Sequence, residues 1–73
     1  MARLDRDQVL TEIDKERSYQ YKRYIKWSDQ LADAVKADDL NRANTCWYEQ
    51  QSARDKFDSL DFVHERISAL QEV

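Results

Sequence analysis

The segment KADDLN, residues 36–41, decides how this chain folds. Asp38, Asp39 and Asn41 disfavour a helix interior and favour helix ends, because their short polar side chains hydrogen-bond the nearby backbone. The spacing of core positions also changes phase across this segment. Before it they fall at 24, 27, 31 and 34, and after it they fall at 43, 46, 50, 53 and 57. Because a continuous supercoil needs a continuous repeat, the sequence predicts two helices joined by a turn at 38–39.

The residues before the turn follow the period of an α-helix. Asp5 is a predicted N-cap, and Gln8 completes a capping-box pattern three residues later. Arg17 and Gln20 interrupt the apolar stripe, but their long stems can cover apolar surface while their polar ends reach water. We predict a first helix over about 5–37. Its apolar stripe comprises Val9, Leu10, Ile13, Tyr24, Trp27, Leu31 and Val35.

A second stripe with the same period follows the turn and predicts a second helix over about 39–71, within a single domain of residues 1–73. This stripe comprises Leu40, Ala43, Cys46, Ala53, Phe57, Leu60, His64 and Ile67, with Val63 and Leu70 to one side. Folding at 38–39 places residue i opposite residue 77 − i. Large side chains then face small ones, as Tyr24 faces Ala53, which suits even packing of a helix pair.

The composition supports an all-α fold. Gly and Pro are both absent, and 37% of the residues are charged. The absence of Gly disfavours tight β-hairpins, and the charge content is typical of exposed helices. The predicted fold is therefore an antiparallel two-helix hairpin. The alternative is a single long helix in a parallel coiled coil.

A lone hairpin of 73 residues has a small core, so we expect it to self-associate. A disulfide within one chain is excluded, because Cys46 is the only cysteine. A second face of the first helix combines large and small residues, as a helix–helix contact does. We predict that Tyr21, Ile25, Ser28 and Ala32 form a dimer interface and that two hairpins make a four-helix bundle. The alternative is a solvated tyrosine beside a stray isoleucine.

The segment KERSYQYKRYIKW carries a local excess of positive charge in a chain whose net charge is −3. Lys15, Tyr19, Lys22 and Lys26 share one side of the first helix, opposite the predicted core. Basic groups with an aromatic ring between them suit docking onto an acidic protein surface. They also suit phosphate contacts combined with base stacking.

These features predict a non-enzymatic protein-interaction module, acting as an adaptor, inhibitor or assembly protein. On the second helix, Tyr48 and Phe62 lie on the side away from the core. The predicted partner-binding residues are Tyr19, Lys22, Lys26, Tyr48 and Phe62. The alternative is a nucleic-acid-associated regulatory protein that uses Lys15, Tyr19, Lys22, Arg23 and Lys26. The acidic net charge argues against wholesale nucleic-acid binding.

His64 is the residue closest in kind to a catalytic or metal-binding group. Asp61 lies one turn before it, within reach of a hydrogen bond, and such a pair can form a general base or an oriented metal ligand. No nucleophile or second ligand accompanies it, and Cys46 is about 27 Å away along a helix. We therefore expect a core histidine and predict no enzyme activity, cofactor or metal. Without glycine, no Gly-rich phosphate-binding loop can form.

The sequence also bears on location. No apolar run reaches the length of a membrane span, and the opening residues MARLDRDQVL lack the apolar core of a signal peptide. We expect a cytoplasmic protein without membrane contact.

Overall fold

The computed structural model describes residues 5–69, and its fold is an antiparallel hairpin of two α-helices. Helix α1 spans Arg6–Lys36, and helix α2 spans Leu40–Ala69. The two helices lie side by side in an elongated body of 54 × 22 × 15 Å. The predicted all-α hairpin is confirmed. The predicted end of the second helix at residue 71 and the predicted stripe residue Leu70 lie outside the described residues.

The start of α1 is a capping box, as the sequence predicts. The carboxylate of Asp5 accepts a hydrogen bond from the backbone N–H of Gln8 at 2.8 Å. In return, the side-chain oxygen of Gln8 accepts one from the backbone N–H of Asp5 at 3.1 Å. Two backbone donors that a helix start leaves without partners are thereby satisfied.

The end of α1 is a Schellman motif built without glycine. Asp38 has a φ of 57°, in the left-handed region. Its N–H donates to the carbonyl of Val35 at 3.0 Å, and the N–H of Asp39 donates to the carbonyl of Ala34 at 2.9 Å. These are the two backbone bonds that define the motif. Asp can take the position usually held by Gly because its short polar side chain tolerates this conformation.

The next residue, Asp39, is the N-cap of α2. Its carboxylate accepts a hydrogen bond from the backbone N–H of Arg42 at 3.1 Å, which is the contact made by an N-cap. Its carbonyl accepts the first bond of the new helix from the N–H of Ala43 at 2.9 Å. Two consecutive aspartates therefore end one helix and start the next.

The contacts between the helices agree with the predicted register. The pairs Arg17–Asp61, Tyr21–Phe57, Ser28–Gln50 and Asp14–His64 have residue numbers that add up to 78. The pairs Arg23–Glu49 and Gln30–Arg42 have numbers that add up to 72. The predicted sum of 77 lies between these values, as expected for a chain that folds at 38–39.

The hairpin buries only a narrow strip between its helices. Within residues 5–69, the buried residues are Gln20, Ala34, Cys46 and Ala53. Cys46, exposed by 1%, is the largest of the fully buried side chains. Most other residues of the two predicted stripes are half-buried, because a single helix neighbour can cover only one side of each.

Two residues of the predicted stripes, Val35 and Leu40, are not in the core. They are 62% and 74% exposed. In the last full turn of α1 the residue nearest α2 is Ala34, and Val35 points 100° further around the helix. Leu40 is the first residue of α2, one turn before Ala43. Val63, predicted at the side of the second stripe, is also exposed.

Candidate interaction surfaces

Two helices lying side by side give the molecule two broad faces, each crossed by both helices, and two narrow edges. On one broad face, residues recur at spacings of three and four along both helices. The row on α1 comprises Ser18, Tyr21, Ile25, Ser28, Ala32 and Val35, and the row on α2 comprises Leu40, Ala43, Trp47, Gln50, Arg54 and Phe57. We call this surface the aromatic face.

Contacts between the two rows show that they are neighbours. The rings of Tyr21 and Phe57 lie 6.0 Å apart, centroid to centroid, at a tilt of 49°. The amide of Gln50 donates to the hydroxyl oxygen of Ser28 at 2.8 Å. The rows therefore form one continuous surface rather than two separate stripes.

The predicted dimer residues all belong to the aromatic face. Tyr21, Ile25 and Ala32 are exposed. Ser28 is half-buried, and its hydroxyl also donates to the carbonyl of Tyr24 at 2.7 Å, so it already takes part in the contact between the helices. Sequence reasoning missed that Trp47 extends this face across α2. The signal was present, because Leu40, Trp47 and Arg54 follow one another at seven-residue intervals.

A cleft of about 340 Å³ opens on the aromatic face, lined by Tyr21, Tyr24, Arg54 and Phe57. Three aromatic rings form its walls. Arg54 is exposed and makes no hydrogen bond or ion pair with another residue of the described range 5–69. The cleft offers an apolar depression with one cationic side chain beside it.

The opposite broad face carries a network of polar side chains. The amide of Gln20 donates to the carboxylate of Glu16, and the guanidinium of Arg23 donates to the side-chain oxygen of Gln20 and to the carboxylate of Glu49, each at 2.9 Å. The Arg23–Glu49 ion pair joins α1 to α2. Gln20 is 3% exposed, and its amide has partners on both sides, so its burial leaves no unpaired group.

The predicted partner-binding residues lie on the two edges and do not meet in one site. Tyr19, Lys22 and Lys26 are exposed on the outer edge of α1. Tyr48 and Phe62 are exposed on the outer edge of α2. At 100° per residue, Lys22 lies about 160° around α1 from the buried Gln20, and Tyr48 and Phe62 lie about 160° around α2 from the buried Cys46. Tyr19 and Lys26 lie about 100–120° from Gln20, on the side of the polar face. The two groups therefore point away from each other.

The basic residues proposed for nucleic acid are largely engaged within the hairpin. Lys15 pairs with Glu12 at 3.3 Å, and the ammonium of Lys26 lies 5.4 Å from the centre of the Trp27 ring. The Arg23 side chain is 19% exposed and faces α2, away from the outer edge of α1. Lys22 makes no ion pair or ring contact that we observe among the described residues.

His64 belongs to a cluster of charged groups between the helices. Its Nε2 lies 3.3 Å from the carboxylate of Asp14. The guanidinium of Arg17 binds both Asp14 and Asp61 at 2.7 Å. Asp61, one turn before His64, binds Arg17 rather than His64, and the carboxylate beside His64 comes from α1. Within residues 5–69, no group of three or more His, Cys, Asp and Glu side chains is arranged to hold a metal ion.

Two further findings concern the chain as a whole. Neither described helix has a segment that is both long enough and apolar enough to cross a membrane. Comparison of the chain with protein-family models, with curated proteins and with solved structures finds no match.

Proposed function

We propose that this chain is a non-enzymatic protein-interaction module that works as an adaptor, inhibitor or assembly protein through its exposed helical faces. One observation carries the proposal. Within residues 5–69, Cys46 is the largest fully buried side chain, while nine large hydrophobic side chains are at least 41% exposed. Folded domains normally bury their large apolar residues, and an extended exposed apolar surface is typical of a site for protein contact.

The placement of the edge residues favours an adaptor among these alternatives. The outer edge of α1 presents Tyr19 between basic residues and suits an acidic partner surface. The outer edge of α2 presents Tyr48 and Phe62, whose rings make contacts with Trp47 and Arg66 respectively. Two edges with different chemistry that point in opposite directions can hold two partners at once.

Nucleic-acid binding has weaker support from the geometry. Of the basic residues proposed for it, Lys15 and Arg23 are in ion pairs, and Lys26 lies against Trp27. A phosphate would have to compete with these contacts. An acidic chain also repels a polyanion outside the local contact.

Affinity capture with edge variants tests the proposal. The full chain serves as bait in an extract of its source cells, and bound proteins are measured by quantitative mass spectrometry. The α2-edge variant carries Tyr48→Ala and Phe62→Ala, the α1-edge variant carries Tyr19→Ala and Lys22→Ala, and Lys56→Ala is the control. We expect each edge variant to lose a distinct set of proteins that the control retains.

Identical capture by the wild type and both edge variants would contradict the assignment of the edges. If nuclease treatment of the extract abolishes capture, the nucleic-acid alternative takes the place of the protein-binding proposal.

A further inference from the structure

We infer that the aromatic face binds a second copy of this chain, so that two hairpins form a two-layer four-helix bundle. This inference rests on the proposal that the helical faces are binding surfaces, and it names the partner of one of them.

The exposed area of a single hairpin is larger than that of a compact monomer. The chain exposes 5855 Å², whereas a globular monomer of its 8.8 kDa exposes about 4,800 Å². Its radius of gyration is 16.5 Å, against about 11 Å for a compact domain of this length. One hairpin therefore leaves surface in water that a stable domain of equal size buries.

A compact dimer of this hairpin requires an interface of a size that homodimers reach. Two separate hairpins expose twice 5855 Å², and a globular protein of twice the mass exposes about 7,900 Å². Pairing would have to bury about 3,800 Å² in total to reach this value, which falls within the range of obligate homodimers.

The aromatic face is the broad face suited to this contact. Its large exposed side chains include Tyr21, Ile25 and Trp47. Smaller residues such as Ala32 lie between them and let two backbones approach closely. Arg54 is the only charged residue in either row of the face. Apart from Arg54, burying the two rows removes no charged side chain from water, which limits the cost of desolvation.

The opposite broad face limits the assembly to two layers. It carries the Glu16–Gln20–Arg23–Glu49 network of hydrogen bonds, in which Arg23 and Glu49 form an ion pair and Glu16 accepts a bond from Gln20. A third hairpin stacked there would have to desolvate these groups without offering them better partners. With one apolar face per copy, association closes around a two-fold axis and yields a dimer.

The geometry of the rows points to an identical partner. The two helices have nearly equal lengths of 31 and 30 residues, and both rows alternate spacings of three and four. This is the spacing at which the side chains of one helix fit between those of another. The face that the rows form has few charged side chains that could select a different protein. A second copy presents the same pattern of residues over the same length.

Two tyrosines of equal exposure make the decisive experiment possible. Tyr21, on the aromatic face, is 54% exposed, and Tyr19, on the outer edge of α1, is 55% exposed. The molar mass of the pure full chain is measured by sedimentation equilibrium between 1 and 100 μM for the wild type, Tyr21→Asp and Tyr19→Asp. Trp47→Asp applies the same test to α2, with Tyr19→Asp again as the control.

We expect the wild type and the Tyr19→Asp variant to have twice the 8.8 kDa mass of the chain. Tyr21→Asp and Trp47→Asp should raise the dimer dissociation constant by about 100-fold, because a two-fold interface buries each new charge twice. Ala32→Arg is a further variant that keeps high helix propensity, and it should also shift the chain to monomer. Circular dichroism of each variant verifies that the helices are retained.

A wild type of 8.8 kDa at every concentration would overturn the inference, and so would a monomer that binds a different protein through the aromatic face. Equal weakening by Tyr19→Asp and Tyr21→Asp would overturn the choice of face. The mass is measured on pure protein, and the Tyr19→Asp control alters a predicted partner-binding residue. A failure of the proposed edge partners would therefore leave the mass unchanged.

Discussion

The left-handed residue Asp38 gives a direct prediction about how the chain reverses. Its φ of 57° costs a residue with a Cβ about 1–2 kcal/mol, with Asp near the lower end. Glycine avoids this cost, but it makes the unfolded chain more flexible than aspartate does, which lowers the free energy of unfolding by about 0.4–1 kcal/mol. We expect Asp38→Gly to raise the free energy of unfolding by about 0.5 kcal/mol. We expect Asp38→Val to lower it by about 1–2 kcal/mol, because a β-branched side chain clashes at positive φ.

Thermal unfolding followed by circular dichroism at 222 nm measures these differences. A change of 1 kcal/mol shifts the Tm of a domain of this size by about 4–8 °C, so the Gly and Val variants should differ by about 10 °C. All variants are compared at one protein concentration, because self-association would make the Tm depend on concentration.

The matched control for this prediction is Lys36→Gly, at the last residue of α1. Glycine within a right-handed helix lowers the free energy of unfolding by about 0.5–1 kcal/mol. Substitution by glycine should therefore lower the free energy of unfolding at position 36 and raise it at position 38. A loss of stability from Asp38→Gly as large as that from Lys36→Gly would contradict the left-handed conformation of Asp38. It would place residue 38 in right-handed helical conformation.

Three further predictions concern the ends, the contact and the core of the hairpin. A double-mutant cycle with Arg23→Ala and Glu49→Ala, read from urea unfolding, should give a coupling of about 0.5–1 kcal/mol that shrinks in 1 M NaCl; additive effects would exclude the ion pair. Asp5→Ala should lower the free energy of unfolding by about 1 kcal/mol through loss of the N-cap, and an unchanged urea midpoint would contradict the capping box. The thiol of Cys46 should react with Ellman's reagent at least about tenfold faster in urea than in buffer, since exchange chemistry depends on access, and equal rates would show that it is not buried.

The parts of the fold that the sequence predicted depend on local chemistry. Asp38 and Asp39 mark the turn because their side chains favour helix ends, and the phase of the core positions changes at the same place. The capping box of Asp5 and Gln8 is likewise a contact within one turn. The register followed from the position of the turn, because the turn determines which residues of the two helices lie opposite each other.

The parts that the sequence did not predict depend on how one helix is rotated against the other. A stripe at 100° per residue shows which side of a helix is apolar, but adjacent positions such as Ala34 and Val35 differ by little in that pattern. Ala34 faces α2 and is buried, whereas Val35 points past the contact. The binding of Asp61 to Arg17 also depends on a neighbour from the other helix.

The candidate surfaces were predicted only in part for the same reason. Tyr21, Ile25 and Ala32 were assigned to one face from the period of α1 alone. The contribution of Trp47 appears only when α2 is placed beside them, because its row has to be read together with the row on α1. The predicted partner-binding residues are all exposed, as the sequence indicated. The side-by-side packing of the helices separates them into one group on each helix, which the sequence did not indicate.

The separation between the two ends of the hairpin tests the central claim, that the chain doubles back at Asp38. Spin labels are attached at Glu12→Cys and Glu65→Cys, both exposed positions, in a Cys46→Ala background diluted with unlabelled protein. Double electron–electron resonance should give a distance of about 20–30 Å, because the labelled residues lie opposite each other on helices with diameters of about 10 Å. A distance near 80 Å, the length of one uninterrupted helix between these residues, would contradict the hairpin.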